Sequence, residues 1–112
     1  MNVEKMAKKA ENVEALLKAM ANRQRLMILC QLLNNEMSVS AIVQAIGLSQ
    51  SAISQHLSVL RNDGLVTTRR ESQTIYYRIG NAQVLQLMGF LYDMFCSPDD
   101  EEPVPASKRK KS

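Results

Sequence analysis

Ser49-Gln-Ser-Ala-Ile-Ser-Gln-His-Leu57 lies inside the longest uncharged run of the chain: from Met37 to Leu60 there is no Lys, Arg, Asp or Glu. Ile53, Leu57 and Leu60 recur at the period of a helix buried along one side. Opposite them stand Gln50, Ser51, Ser54 and Gln55, polar without charge, whereas the outer face of a surface helix usually carries charged residues as well. Ser49 is of the residue type that caps a helix N-terminus, and Leu48 is spaced to pack on Ile53 as a hydrophobic staple. Just upstream, Val39, Ile42, Val43 and Ile46 fall at i, i+3, i+4 and i+7, with Ser38 as a cap and Gly47 as the residue that ends the helix. A short helix, a glycine turn and a second capped helix form the pattern of a helix-turn-helix.

Working outward, Met6, Ala10, Val13, Leu17 and Met20 mark one stripe of a helix over Lys5–Met20. A second helix from about Asn22 places Leu26, Leu29, Cys30 and Leu33 on a common face. On the other side, Arg61-Asn62-Asp63-Gly64 closes the reading helix. Residues 65–70 and 74–79 are β-branched and aromatic runs separated by Glu71-Ser72-Gln73, the pattern of a β-hairpin. A last helix spans about Asn81 to Cys96, with Val84, Met88, Leu91 and Phe95 along one side. The expected fold is mainly α with a β-hairpin wing, four helices preceding the hairpin and one following it: a winged helix-turn-helix. Neither terminal helix has an evident place to bury its stripe in so small a domain. Pairing with a second copy buries both stripes, since two-fold dimers are the commonest assembly; folding back onto their own core is the alternative.

The uncharged face suits base reading in a DNA major groove. Ser49 counts with Gln50, Ser51, Ser54 and Gln55 as a candidate DNA contact: Gln can bond adenine N6 and N7 together, Ser can donate or accept, and carboxylates there would repel phosphate. Cations for the phosphates must then come from beside it: Arg61 at the helix end, and Arg69, Arg70 and Arg78 in or next to the hairpin. Gln73 and Thr74 near the hairpin tip are candidates for minor-groove or sugar contacts. Some of these arginines can instead pair with Glu71 or Asp63 at the surface. His56 is expected to be a packed helix residue. No second His, carboxylate cluster, activated Ser or glycine-rich phosphate loop accompanies it, so no enzyme chemistry and no cofactor is expected.

The chain has 112 residues and a formal net charge of +3. Residues 1–96 are read as one DNA-binding and dimerisation domain, and 97–112 as a charged tail in which Asp99-Asp100-Glu101-Glu102 is separated from Lys108-Arg109-Lys110-Lys111 by prolines. Such a tail cannot bury a core and is expected to be disordered; its basic end can either touch phosphates or simply stay solvated. The composition carries no secretory signal and no apolar run near the ~20 residues of a membrane span, pointing to the cytoplasm. Cys30 and Cys96 are by default small buried hydrophobes in a reducing compartment.

Leu26–Leu33, Met37-Ser-Val-Ser-Ala-Ile42, Leu48–Leu57, Leu60–Val66 and Thr74-Ile-Tyr-Tyr77 together resemble the ArsR family of bacterial winged-helix regulators, over roughly residues 5–96 and most nearly its branch with HlyU, BigR, SqrR and NolR. The resemblance implies a homodimer held by the first and last helices, a palindromic DNA operator and, usually, repression. Family metal sites use a Cys-x-Cys pair in the third helix, or His with Asp/Glu in the last. Here those positions read Ser38-Val39-Ser40 and, over Asn81–Cys96, only Asp93 with no His, so no metal site is expected. The sulfide-responsive branch instead gives Cys30 and Cys96 a meaning, a pair that oxidants or reactive sulfur join to release DNA. NolR-like members lack the pair, which keeps a constitutive regulator open, and the HlyU likeness adds an anti-repressor that displaces another protein from DNA. Two readings of other classes remain: a partner-binding module working through its apolar helices, and a thiol oxidoreductase, which the lack of a Cys-x-x-Cys pair disfavours.

Overall fold

The computed structural model describes residues 1–96; the charged tail expected at 97–112 lies outside the described residues. In chain order the elements are α1 (Val3–Met20), α2 (Arg23–Gln31), β1 (Met37–Ser38), α3 (Val39–Ile46), α4 (Gln50–Asn62), β2 (Val66–Glu71), β3 (Thr74–Ile79) and α5 (Ala82–Phe95). The five helices begin at Asn2, Asn22, Ser38, Ser49 and Asn81, each accepting a hydrogen bond from backbone N–H groups of the first turn. Such a cap contributes about 1 kcal/mol, and at five sites it fixes where each rod starts. The caps read from Ser38 and Ser49 are therefore borne out, and α1 begins two residues before the expected Lys5.

The turn between α3 and α4 follows the same local chemistry. Gly47 adopts φ 89° and ψ 12° and donates its N–H to the Val43 carbonyl at 2.8 Å. Only a residue without Cβ takes that conformation without strain, so the chain leaves α3 sharply and enters α4 after Leu48 and Ser49. At the far end, Gly64 (φ 79°) donates to Arg61 and Leu65 to Leu60, the paired bonds of a Schellman motif. Leu65 is thereby turned into the core and β2 starts at once.

The core brings together Ile28 and Leu29 of α2 with Leu32 at its C-terminal cap, Ile42 of α3, Ile53, Leu57 and Leu60 of α4, Leu65 and Val66, and Val84 and Met88 of α5. Burial of each large side chain contributes about 1.5–3 kcal/mol, which makes α4 the best-anchored rod of the helix pair. Leu48 packs against this cluster beside the start of α4. Two expectations are corrected. The buried side of α2 runs through Ile28 and Leu32 as well as Leu29, with Leu26, Cys30 and Leu33 only partly buried. On α5 the stripe is buried at Val84 and Met88, but Phe95 lies beyond the core and is 71% exposed.

The wing is also larger than the expected hairpin. β2 and β3 pair antiparallel from Val66↔Ile79 to Glu71↔Thr74, leaving Ser72 and Gln73 as the turn, with Ser72 at φ 59°. The strand β1 adds to the other edge of β3, Met37 opposite Tyr77 and Ser38 opposite Tyr76, so the sheet has three strands in the order β1-β3-β2. At the wing base Gly80 donates to the Leu65 carbonyl, and a Cβ there would collide with the Thr67 side chain. The corner between α1 and α2 is held by Arg25, whose Nε donates to the Ala19 carbonyl at 2.6 Å, capping the end of α1 with a cation. Among the described residues no helix is long and apolar enough to cross a membrane.

Candidate nucleic-acid interface

With Ile53, Leu57 and Leu60 buried, the opposite side of α4 is left to solvent: Gln50, Ser51, Ser54 and Gln55 are all exposed, and the cap Ser49 spends its hydroxyl on the Ala52 N–H at 3.1 Å. Ser58, one turn beyond Ser54, is exposed on the same face and was not singled out from the sequence, although its spacing of seven from Ser51 is a legible signal. His56 is half-buried between this face and the core. The surface so formed offers hydroxyl and amide groups and no formal charge from Ser49 to Leu60, with Arg61 exposed in the last turn.

The hairpin divides the remaining candidates by strand parity. Arg70 is exposed and shares a face with Thr68 and the half-buried Ile75; Arg78 is exposed on the other face, opposite Thr67. Gln73 and Thr74 are exposed at the turn and share a shallow groove with Ser38, Val39 and Ser40 at the start of α3, so the wing tip lies beside the helix pair. Arg69 takes the surface pairing with Glu71 that the sequence left open, and adds a partner, Glu36, that it did not suggest. Its Nε donates to Glu36 at 2.7 Å and its Nη1 to Glu71 at 2.9 Å, and its guanidinium carbon lies 4.7 Å from the ring centre of Tyr76. The hydrogen bond from Arg69 holds the Glu36 carboxyl below its usual range, with burial opposing and the charges of Arg69 and Arg78 adding to it. A carboxylate with a depressed pKa keeps its pair through neutral pH and loses it only as the pH falls through that lowered value. Glu36 had no signal in the sequence, because it precedes Arg69 by 33 residues.

The cysteines are both free. Cys30 is partly buried on α2 against the core, and Cys96 is exposed where α5 ends. Among the described residues no group of three His, Cys, Asp or Glu side chains is placed to hold a metal ion.

The outer surfaces of the terminal helices are apolar. In α1, Leu16, Ala19 and Met20 face the core, whereas Met6, Val13 and Leu17, on an adjacent side, remain exposed and line an open groove with Ala10. In α5, Leu85, Phe90, Tyr92 and Met94 are exposed around the two buried residues.

Comparison with known proteins agrees with this geometry. Residues 22–68 match the family described as "Bacterial regulatory protein, arsR family". The chain is 48% identical over 96 residues to the transcriptional activator HlyU of Vibrio cholerae, covering 86% of this chain and 89% of that protein. It is 42% identical over 101 residues to the biofilm growth-associated repressor of Xylella fastidiosa, 90% of this chain and 89% of that one. The structure of reduced HlyU from Vibrio cholerae superposes with a TM-score of 0.80 at 47% identity, over 84% of this chain and 99% of that one. The solution structure of the homodimeric winged helix-turn-helix DNA-binding domain of Mb0332 from Mycobacterium bovis does so at 0.74 and 32%, over 88% and 92%. With relatives of this similarity matched over nearly their whole length, the chain belongs to the arsR family of bacterial regulatory proteins.

Proposed function

We propose that the protein is a homodimeric, sequence-specific DNA-binding regulator that represses by occupying a palindromic operator. The single observation that carries this reading is the exposed, uncharged Gln/Ser face of α4 on a helix held rigidly from behind. In a major groove such a face meets base edges without repelling phosphate, and its N-terminal residues Gln50, Ser51, Ser54 and Gln55 reach deepest. Phosphate attraction falls to Arg61, Arg70 and Arg78 beside it, with Gln73 and Thr74 of the wing tip on the flanking backbone. The exposed stripes of α1 and α5 support the dimer, because each terminal helix carries a second apolar side that its own core leaves uncovered. Replacing Gln55 by Ala is expected to cost about 1–3 kcal/mol on the preferred duplex and little on a scrambled one. A titration in which both duplexes lose equally contradicts base reading and favours a partner-binding module.

Release is assigned to the thiols. An oxidant such as a peroxide takes two electrons and two protons from Cys30 and Cys96, its O–O bond breaking to give two waters, or one alcohol and one water, as the two sulfurs join. A persulfide donor passes its outer sulfur to one thiol and leaves as its own thiol; the other thiolate then attacks the inner sulfur of the new persulfide, forming the same bond with loss of hydrogen sulfide. A covalent link ties the end of α5 to α2, and since the two helices lie respectively in the dimer seam and behind the reading pair, the two α4 helices leave the spacing of about one helical turn that DNA requires. A second reading, an anti-repressor that displaces another protein from DNA, is favoured by one observation: the relative that is 48% identical is named an activator.

A further inference from the structure

The outer half of the wing has little to hold it. Beyond Thr68 and Tyr77 the hairpin leaves the core, and Arg70, Glu71, Ser72, Gln73 and Thr74 are exposed. A two-stranded hairpin is marginal by itself, and β1 pairs only with Tyr76 and Tyr77 in the middle of β3, leaving Thr74 and Ile75 without a third strand. Apart from the shallow groove that Gln73 and Thr74 share with Ser38, Val39 and Ser40, the side-chain link from this half to the rest of the domain is the Arg69 cluster. Glu36 belongs to the connection between α2 and β1, Glu71 to the same strand as Arg69, and Tyr76 to the strand opposite. The guanidinium is thus held by carboxylates on two sides and stacked over a ring, in the planar forked geometry that Lys cannot reproduce.

We propose that Arg69 is a positioning residue and not a phosphate contact: it clamps the wing to Glu36 and so sets the angle at which Arg70, Gln73 and Thr74 meet DNA. The inference rests on the reading of the wing as a DNA contact. It makes a prediction opposite in sign to simple electrostatics. Removing the negative charge of Glu36 near a polyanion should tighten binding, whereas loosening a clamp should weaken it.

The test is a titration of full-length protein against its preferred duplex over a range of salt, for the wild type, Glu36→Gln, Arg69→Ala, Arg69→Lys, the Glu36→Gln/Arg69→Ala double variant and Arg70→Ala. The clamp predicts that Glu36→Gln weakens binding about two- to fivefold, that Arg69→Lys does not restore what Arg69→Ala loses, and that the double variant is no worse than Arg69→Ala alone. The salt slope of Arg69→Ala stays that of the wild type, because no phosphate contact has gone. Thermal melts should hardly move, since exposed ion pairs add little to stability. Unchanged or tighter binding by Glu36→Gln, or a shallower salt slope for Arg69→Ala, overturns the clamp. Arg70→Ala separates the two layers: it should flatten the slope by about 0.9 for each phosphate lost. If it does and Glu36→Gln has no effect, the clamp alone fails; if neither variant changes binding, the wing does not touch DNA and both fail.

Discussion

Leu17→Glu is expected to turn the protein into a monomer and to weaken binding to an inverted-repeat duplex by at least about a hundredfold. Leu17 is 50% exposed in the single chain, in line with Met6 and Val13, and borders an almost wholly apolar groove. A carboxylate placed there faces water in the monomer at little cost, but in a dimer it must be desolvated against another apolar stripe. The loss in DNA affinity follows from geometry. In the proposed complex each α4 takes one half-site, and joining two readers makes the second contact intramolecular, an advantage of roughly 10²–10⁴ that a monomer forfeits. Ultracentrifugation gives the mass and a duplex titration the affinity. A Leu17→Glu protein that stays dimeric and binds as the wild type does would place the seam elsewhere.

The second large effect is chemical. Treating the reduced protein with a persulfide donor or peroxide is expected to lower operator affinity at least tenfold, and a dithiol reductant to restore it. Cys30→Ser and Cys96→Ser should each bind DNA as the reduced wild type does and ignore the oxidant, because one sulfur has nothing to join. Cys96 is exposed and is expected to react first, with Cys30, partly buried on α2, as the proposed resolving thiol. Mass spectrometry of the treated protein reads the outcome directly. A Cys30–Cys96 link with unchanged affinity contradicts the proposed release, and so does a Cys30→Ser variant that still lets go.

The helix-turn-helix was legible because its signals are local. Ser38, Gly47 and Ser49 act through bonds within four residues, and Ile53, Leu57 and Leu60 repeat at helical period, so residue type and spacing alone place both helices and the exposed polar face of α4. The same holds for the hairpin strands, where β-branched and aromatic runs flank a short turn. The part that was not legible depends on distance along the chain. A strand as short as Met37–Ser38 has no pattern of its own and exists because Tyr76 and Tyr77 pair with it. In α2 the apolar residues are so dense, from Leu26 to Leu33, that more than one face can be drawn through them; packing on α1, α3 and α4 selected the one with Ile28 and Leu32. The stripe expected on α1 reaches the core only at Met20, which is buried with Leu16 and Ala19 of the neighbouring side, while Met6, Val13 and Leu17 stay exposed. Arg69 shows the limit most clearly: as a residue type it matched a phosphate contact, and only the fold brings Glu36 to it.

The central claim is that α4 reads sequence. Selection of duplexes bound by the reduced protein from a random pool, at about 150 mM salt, tests this with no operator sequence assumed. The prediction is an enriched inverted repeat whose half-sites lie about 10 base pairs apart, bound by two chains and preferred over a scrambled duplex by a factor of about 10³ or more. A pool that shows no enrichment after repeated rounds, or equal affinity for selected and scrambled duplexes, would contradict it.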